Sequence, residues 1–289
     1  MTPTQGVVQE GRHFSQQSAS TPRRPEFQWS HLWKAPVHDF PIRDEILFQF
    51  LPLPPQAHVL EVGPGSGFTA FRLAPSLQQM TLIDISAQAV ERVRKLLSSH
   101  ANVGYGCADV CEPGLAQTLG KRYDIAFSLD VFEYVADPAA CLRNLAAVLR
   151  PNGELMISYP NVPPPKGDGV TWFQDSSQLE RLLQDAGFQS WEIFSVRMRP
   201  YSAAMYWLFH EFPLSLYRRM RIGSRTPRPQ IYEETWAFQH DGQLRRFNFA
   251  LEILWMFISW IIRIPGDVFV YEPANGNVLG HQLVIRAKV

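Results

Sequence analysis

Residues 59–67 read VLEVGPGSG, an apolar run that carries one acid, Glu61, and then opens into glycines at Gly63, Gly65 and Gly67. A strand running straight into a glycine-rich turn and a helix presents backbone N–H groups and the positive end of the helix dipole, with no side chain barring close approach. The glycines follow G-x-G-x-G. The dinucleotide pattern G-x-G-x-x-G needs glycine at position 68, where Phe68 stands, so a pyrophosphate is the weaker occupant. Asp84 closes the next apolar run. A carboxylate there can accept both hydroxyls of a ribose, which one nucleoside offers as well as a dinucleotide does; as a plain helix cap it is second to Ser86.

Such a loop has to be held by strands and helices in alternation. Ile42, Ile46, Leu47, Phe50 and Leu51 share one face of an amphipathic helix that leads into the core. Short β-rich runs follow at 58–62, 80–85, from Asn102 onward, 123–130, 153–160 and 189–198, with a last one at 280–289 and a short companion over 267–271. Helical patterns lie between them: GFTAFRLA after the glycines, a segment capped by Ser86, one opened by Asp137-Pro138, and SSQLERLLQDAG stopped by Gly187. This order predicts an α/β protein, Rossmann-like and doubly wound, with a mostly parallel seven-stranded sheet. Residues 1–28 read as a disordered polar tail, 29–198 as the core with its cap helix, 199–265 as an aromatic-rich helical insertion, and 266–289 as the final strand or strands.

EVGPGSG at 61–67, the acid of LIDIS, CADV at 107–110 and SLDVFEYVADP at 128–138 fall in order at the carboxyl ends of successive expected strands, where open α/β sheets bind ligands. Together they resemble the class I S-adenosylmethionine-dependent methyltransferases of small-molecule type, over residues 55–197. The resemblance implies S-adenosyl-L-methionine as cofactor, with Glu61 and Gly63 to Gly67 around its methionine moiety, Asp84 on the ribose and Asp109 facing the adenine. Ser128 to Asp130 then lie near the sulfonium and the substrate entrance. Where many relatives carry Glu-His, this chain has Glu133-Tyr134, so no role of that histidine transfers.

Methyl transfer from a sulfonium disperses charge, so positioning and exclusion of water supply much of the rate. An oxygen nucleophile also wants a base. His38, ahead of the cap helix, and His210 and His240 in the insertion are the weak candidates, and no metal site is expected. Lysine plus arginine and aspartate plus glutamate both number 27, so no global field favours nucleic acid. Three cysteines, Cys107, Cys111 and Cys141, form neither a metal spacing nor an even disulfide set; they read as packing residues of a reducing, cytoplasmic compartment. The polar N-terminus lacks a signal peptide's apolar core. The insertion carries YSAAMYWLFHEF, then Arg218, Arg219, Arg221, Arg225 and Arg228, then an apolar run at 247–262 too short to span a bilayer comfortably. It reads as a lid for a greasy or lipid-like acceptor, with peripheral membrane contact through 199–265. The competing readings are an inactive S-adenosylmethionine-binding scaffold and, less favoured, a nucleotide-dependent oxidoreductase.

Overall fold

The computed structural model describes residues 47, 50–51, 53–65, 67–161, 173, 175–212, 257–258, 261–262, 264, 269–274 and 282–289. Five parallel strands carry the front of the molecule: β1 (His58–Val62), β2 (Gln79–Asp84), β3 (Val103–Cys107), β4 (Tyr123–Leu129) and β5 (Leu149–Pro160). β6 (Ser190–Met198), β7 (Phe269–Pro273) and β8 (Gln282–Lys288) complete a sheet of order β3-β2-β1-β4-β5-β8-β6-β7. The architecture is the expected Rossmann-like one, with eight strands rather than seven. β8 runs antiparallel between β5 and β6, and the companion run near 267–271 has become β7, an added edge strand paired to β6.

Both sheet faces are covered, which is why β1, β2 and β4 read as nearly unbroken apolar runs. On one face α1 (Phe68–Leu73) and α2 (Ala87–Leu96) pack with Leu47, Phe50 and Leu51 against Val59, Leu82 and Phe127. The other face is covered by α4 (Pro138–Val148) and α5 (Ser176–Asp185), through Leu142, Leu145, Leu179 and Leu183; the short α3 (Leu115–Leu119) flanks them. Helix starts follow their caps. Ser86 Oγ accepts from Ala89 N at 3.3 Å, Asp137 Oδ1 from Ala140 N at 2.9 Å with Pro138 in the first turn, and Asp175 Oδ1 from Gln178 N at 3.1 Å.

β5 begins four residues earlier than expected, at Leu149, because the chain bulges there. Asn152 takes φ 64°, and the register against β4 shifts between Tyr123 and Ile125. At this lower edge Asp124 accepts from Arg150 Nη1 at 2.6 Å and from the His58 N–H at 2.8 Å, tying β1, β4 and β5 together. After β6 the chain enters α6 (Pro200–Tyr206), which continues as a π-turn over Trp207–Glu211. Ile258 and Ile262 bury themselves against Met198, Met205, Tyr206 and Phe269, and Ser202 Oγ donates to Ile262 O at 2.9 Å. The polar tail, the arginine cluster, His38 and His240 lie outside the described residues; His210 falls in the π-turn, and its side chain lies outside them too.

Candidate functional site

The carboxyl ends of β1, β2 and β4 and the turn after β3 enclose a cleft of about 310 Å³. Backbone bonds set its walls: Gly63 N donates to Ile83 O at 2.8 Å, Ala108 N to Asp84 O at 3.1 Å, and Asp130 N to Ser158 O at 2.7 Å. Of the residues singled out by sequence, Glu61, Gly63, Gly65, Asp84, Asp109 and Asp130 all line it. Gly67 does not. Its Cβ would stand 3.0 Å from Val93 and 3.2 Å from Leu96, so this glycine lets α1 start close against α2 and makes no wall of the cleft.

The other two glycines divide the work of the loop. Gly63 sits at φ 68°, and a Cβ on it would meet Val131 Cγ2 at 2.4 Å. No side chain fits. At Gly65, φ 55°, a Cβ would find nothing within 4 Å, which leaves backbone bare toward the cleft. Asp84 serves two ends at once. Its Oδ1 accepts from Ser86 N at 2.9 Å and shapes the turn into α2, while Oδ2 has no partner among the described residues and is left for a ligand. Asp109 Oδ1 likewise accepts from Cys111 N at 2.8 Å. Glu61, only 3% exposed, forms part of the floor.

Four carboxylates thus surround the cleft among the described residues, and no lysine, arginine or histidine is among the described residues that line it. That set of anionic acceptors repels a pyrophosphate and suits a ligand with cationic centres and ribose hydroxyls. Three of the lining residues to which the sequence assigned no site role are telling. Ile85 and Tyr134, each 72% exposed, stand at the mouth, and Cys111 forms part of the wall. Ile85 had a signal in the sequence, an apolar residue directly after the strand-closing acid; Tyr134 occupies the position noted for its missing histidine. The cysteines therefore differ in kind. Cys107 is exposed, Cys111 is partly exposed with burial pushing its thiol up, and Cys141 alone is a core residue whose thiol burial pushes up strongly. Behind the cleft, Phe132, Tyr159 and Phe173 form an aromatic cluster, with Phe132 and Tyr159 ring centroids 5.4 Å apart. Burial, and then the neighbouring Glu133, hold the Tyr159 phenol protonated.

The profile of a family described as a methyltransferase domain matches residues 38–193. A ubiquinone biosynthesis O-methyltransferase of Coxiella burnetii is 30% identical over 105 residues, which cover 36% of this chain and 44% of that protein. A tRNA 5-carboxymethoxyuridine methyltransferase of Escherichia coli is 33% identical over 112 residues, 37% of this chain and 42% of that protein. The chain therefore matches under half the length of these relatives. Among solved structures, a phosphoethanolamine N-methyltransferase of Haemonchus contortus with phosphomonomethylethanolamine and S-adenosylhomocysteine aligns over 85% of this chain and 52% of its own, at TM-score 0.49 and 17% identity.

Proposed function

The chain belongs to the methyltransferase-domain family, whose methyl donor is S-adenosylmethionine, and we propose that it transfers the methyl group to a small hydrophobic or lipid-like acceptor at a membrane surface. The observation that carries the donor site is the cleft itself: four carboxylates, no basic residue among the described residues that line it, and two left-handed glycines that bare the backbone. Asp84, whose Oδ2 has no partner among the described residues, takes the ribose hydroxyls, Asp109 faces the adenine, and Glu61 with Gly63 and Gly65 surrounds the amino-acid portion. Bound there, the donor supplies an electrophilic methyl group. The protein's part is to hold it in line with the acceptor and to keep water out.

The acceptor reading rests on the insertion. Among the described residues, seven of the nine exposed large apolar side chains lie on it, including Trp207, Leu208, Phe209, Phe212 and Phe257; the other two, Ile85 and Tyr134, stand at the cleft mouth. Residues of this kind favour the interface between headgroups and acyl chains, and Arg218, Arg219 and Arg221 follow Phe212 closely in sequence, where they complement anionic lipid. Among the described residues no helix is long and apolar enough to cross a membrane, so the contact proposed is a peripheral one. The test has two arms. Isothermal titration should give micromolar S-adenosylhomocysteine binding that Asp84→Ala weakens about tenfold or more, with no binding of NAD. Co-sedimentation should show the chain on anionic vesicles and a Trp207→Ser/Phe212→Ser variant off them; equal partition of the two proteins would remove the membrane from the reading.

A further inference from the structure

Gln282 opens β8, 152 positions after Asp130 in the sequence, yet the two touch. Its side-chain amide donates twice, to Asp130 Oδ1 at 3.0 Å and to Ser158 Oγ at 2.7 Å. The orientation of the amide follows from this, because turning it over would set its oxygen against a carboxylate. Ser158 is 2% exposed, and its carbonyl accepts from Asp130 N. Asp130 is therefore gripped at backbone and side chain together by β5 and β8. Its backbone stands at φ 53°, a left-handed conformation that a non-glycine residue keeps only where its surroundings enforce it.

The cleft follows the sheet order β3, β2, β1, β4, so Asp109 and Asp84 mark one end and Asp130 the other. With the ribose on Asp84, the far end meets the amino-acid portion of the cofactor, whose α-ammonium is both a cation and a triple donor. We propose that Gln282 is a positioning residue that aims the Asp130 carboxylate at this α-ammonium. The inference rests on the cofactor reading above and deepens it, since it assigns a role in donor recognition to a strand that lies beyond the matched family region.

Two ligands separate the claims. S-adenosylhomocysteine carries the amino acid; 5′-methylthioadenosine keeps the nucleoside and the thioether but lacks it. In titrations of the full chain, Gln282→Leu should weaken S-adenosylhomocysteine roughly tenfold while 5′-methylthioadenosine stays within about twofold. Asp130→Asn, which keeps the shape and removes the charge, should show the same selectivity and carries the test if the leucine variant does not fold. Parallel losses for both ligands would mark Gln282 as a packing residue and overturn the inference, as would unchanged S-adenosylhomocysteine affinity. Failure of the unaltered chain to bind either ligand would overturn the cofactor reading, and this inference with it.

Discussion

Gly63→Ala isolates what the cofactor loop demands of its backbone. Alanine in the left-handed region costs about 1–2 kcal/mol. The new Cβ also lands 2.4 Å from Val131 Cγ2, with Cγ1 and Cβ of the same valine at 3.1 and 3.2 Å, so rotating Val131 clears one clash only by making another. Overpacking of this kind costs about 1–3 kcal/mol, and the total expected is about 2–5 kcal/mol out of a domain stability of ~5–15 kcal/mol. Gly65→Ala bears the backbone cost alone, about 1–2 kcal/mol, because nothing lies within 4 Å of its Cβ. The two variants should therefore diverge. In urea melts followed by circular dichroism Gly63→Ala is expected to be the less stable; in titrations with S-adenosylhomocysteine Gly65→Ala is expected to lose affinity even while well folded, because Gly65 lines the cleft. The double variant Gly63→Ala/Val131→Ala removes the clash but not the left-handed strain, and should recover about 1–3 kcal/mol relative to the sum of the single changes. Additivity within about 0.5 kcal/mol would refute the steric half of the argument.

Three further outcomes are expected. With a thiol reagent on the folded protein, Cys107 should react fast, Cys111 slowly and Cys141 only on unfolding, and S-adenosylhomocysteine should slow Cys111 alone; fast labelling of Cys141 would contradict the burial on which this rests. Burial disfavours the Asp124 carboxylate, but the His58 N–H and Arg150 outweigh it and hold the group below its ordinary range. The unfolded chain then takes up that proton first as pH falls, so the contribution is complete above about pH 4 and is lost as pH drops through the folded value. Asp124→Asn should thus be destabilised at pH 7 by no more than about 1 kcal/mol, since both partners are over a third exposed, and its stability should converge with that of the wild type as pH falls below the folded-state value of Asp124. Asn161, 5% exposed, accepts from Phe173 N and donates to Phe173 O, each at 3.2 Å. Asn161→Ala strands both buried backbone groups and should cost roughly 2–4 kcal/mol, and Asn161→Asp, which sets a carboxylate oxygen against the Phe173 carbonyl, should cost no less.

The legible parts of the site were those written in consecutive residues. The glycine loop, Asp84, Asp109 and Asp130 each stand at or just beyond a strand end, and strand ends can be found from apolar runs alone, so six of the seven cofactor residues chosen from sequence line one cleft. Gly67 belonged to the same motif, but its role depends on where Val93 and Leu96 lie across the next helix, which spacing does not encode. Gln282 carried no local signal at all; only the pairing of β8 with β5 brings it to Asp130. The eighth strand was half visible, because FVYEP is short and its pairing partner β6 precedes it by a long insertion. The cysteines were read as one class because composition cannot separate a thiol in the wall of a cleft from one on the buried face of a helix.

The place of β8 also governs how the sheet comes together in time. β3, β2, β1, β4 and β5 pair among themselves and emerge from the ribosome before residue 161. β6 finds no partner among them, since its only neighbours are β7 and β8, both made later. At ~5–20 residues per second, the synthesis of the chain from Met198 to Lys288 leaves β6 unjoined to the rest of the sheet for roughly 5–20 s. Ile193 and Val196, buried in the finished sheet, are uncovered for that interval. Nascent chains stalled between these points should engage holding chaperones, and release from them should coincide with arrival of the strand that brings Gln282 to the cofactor cleft.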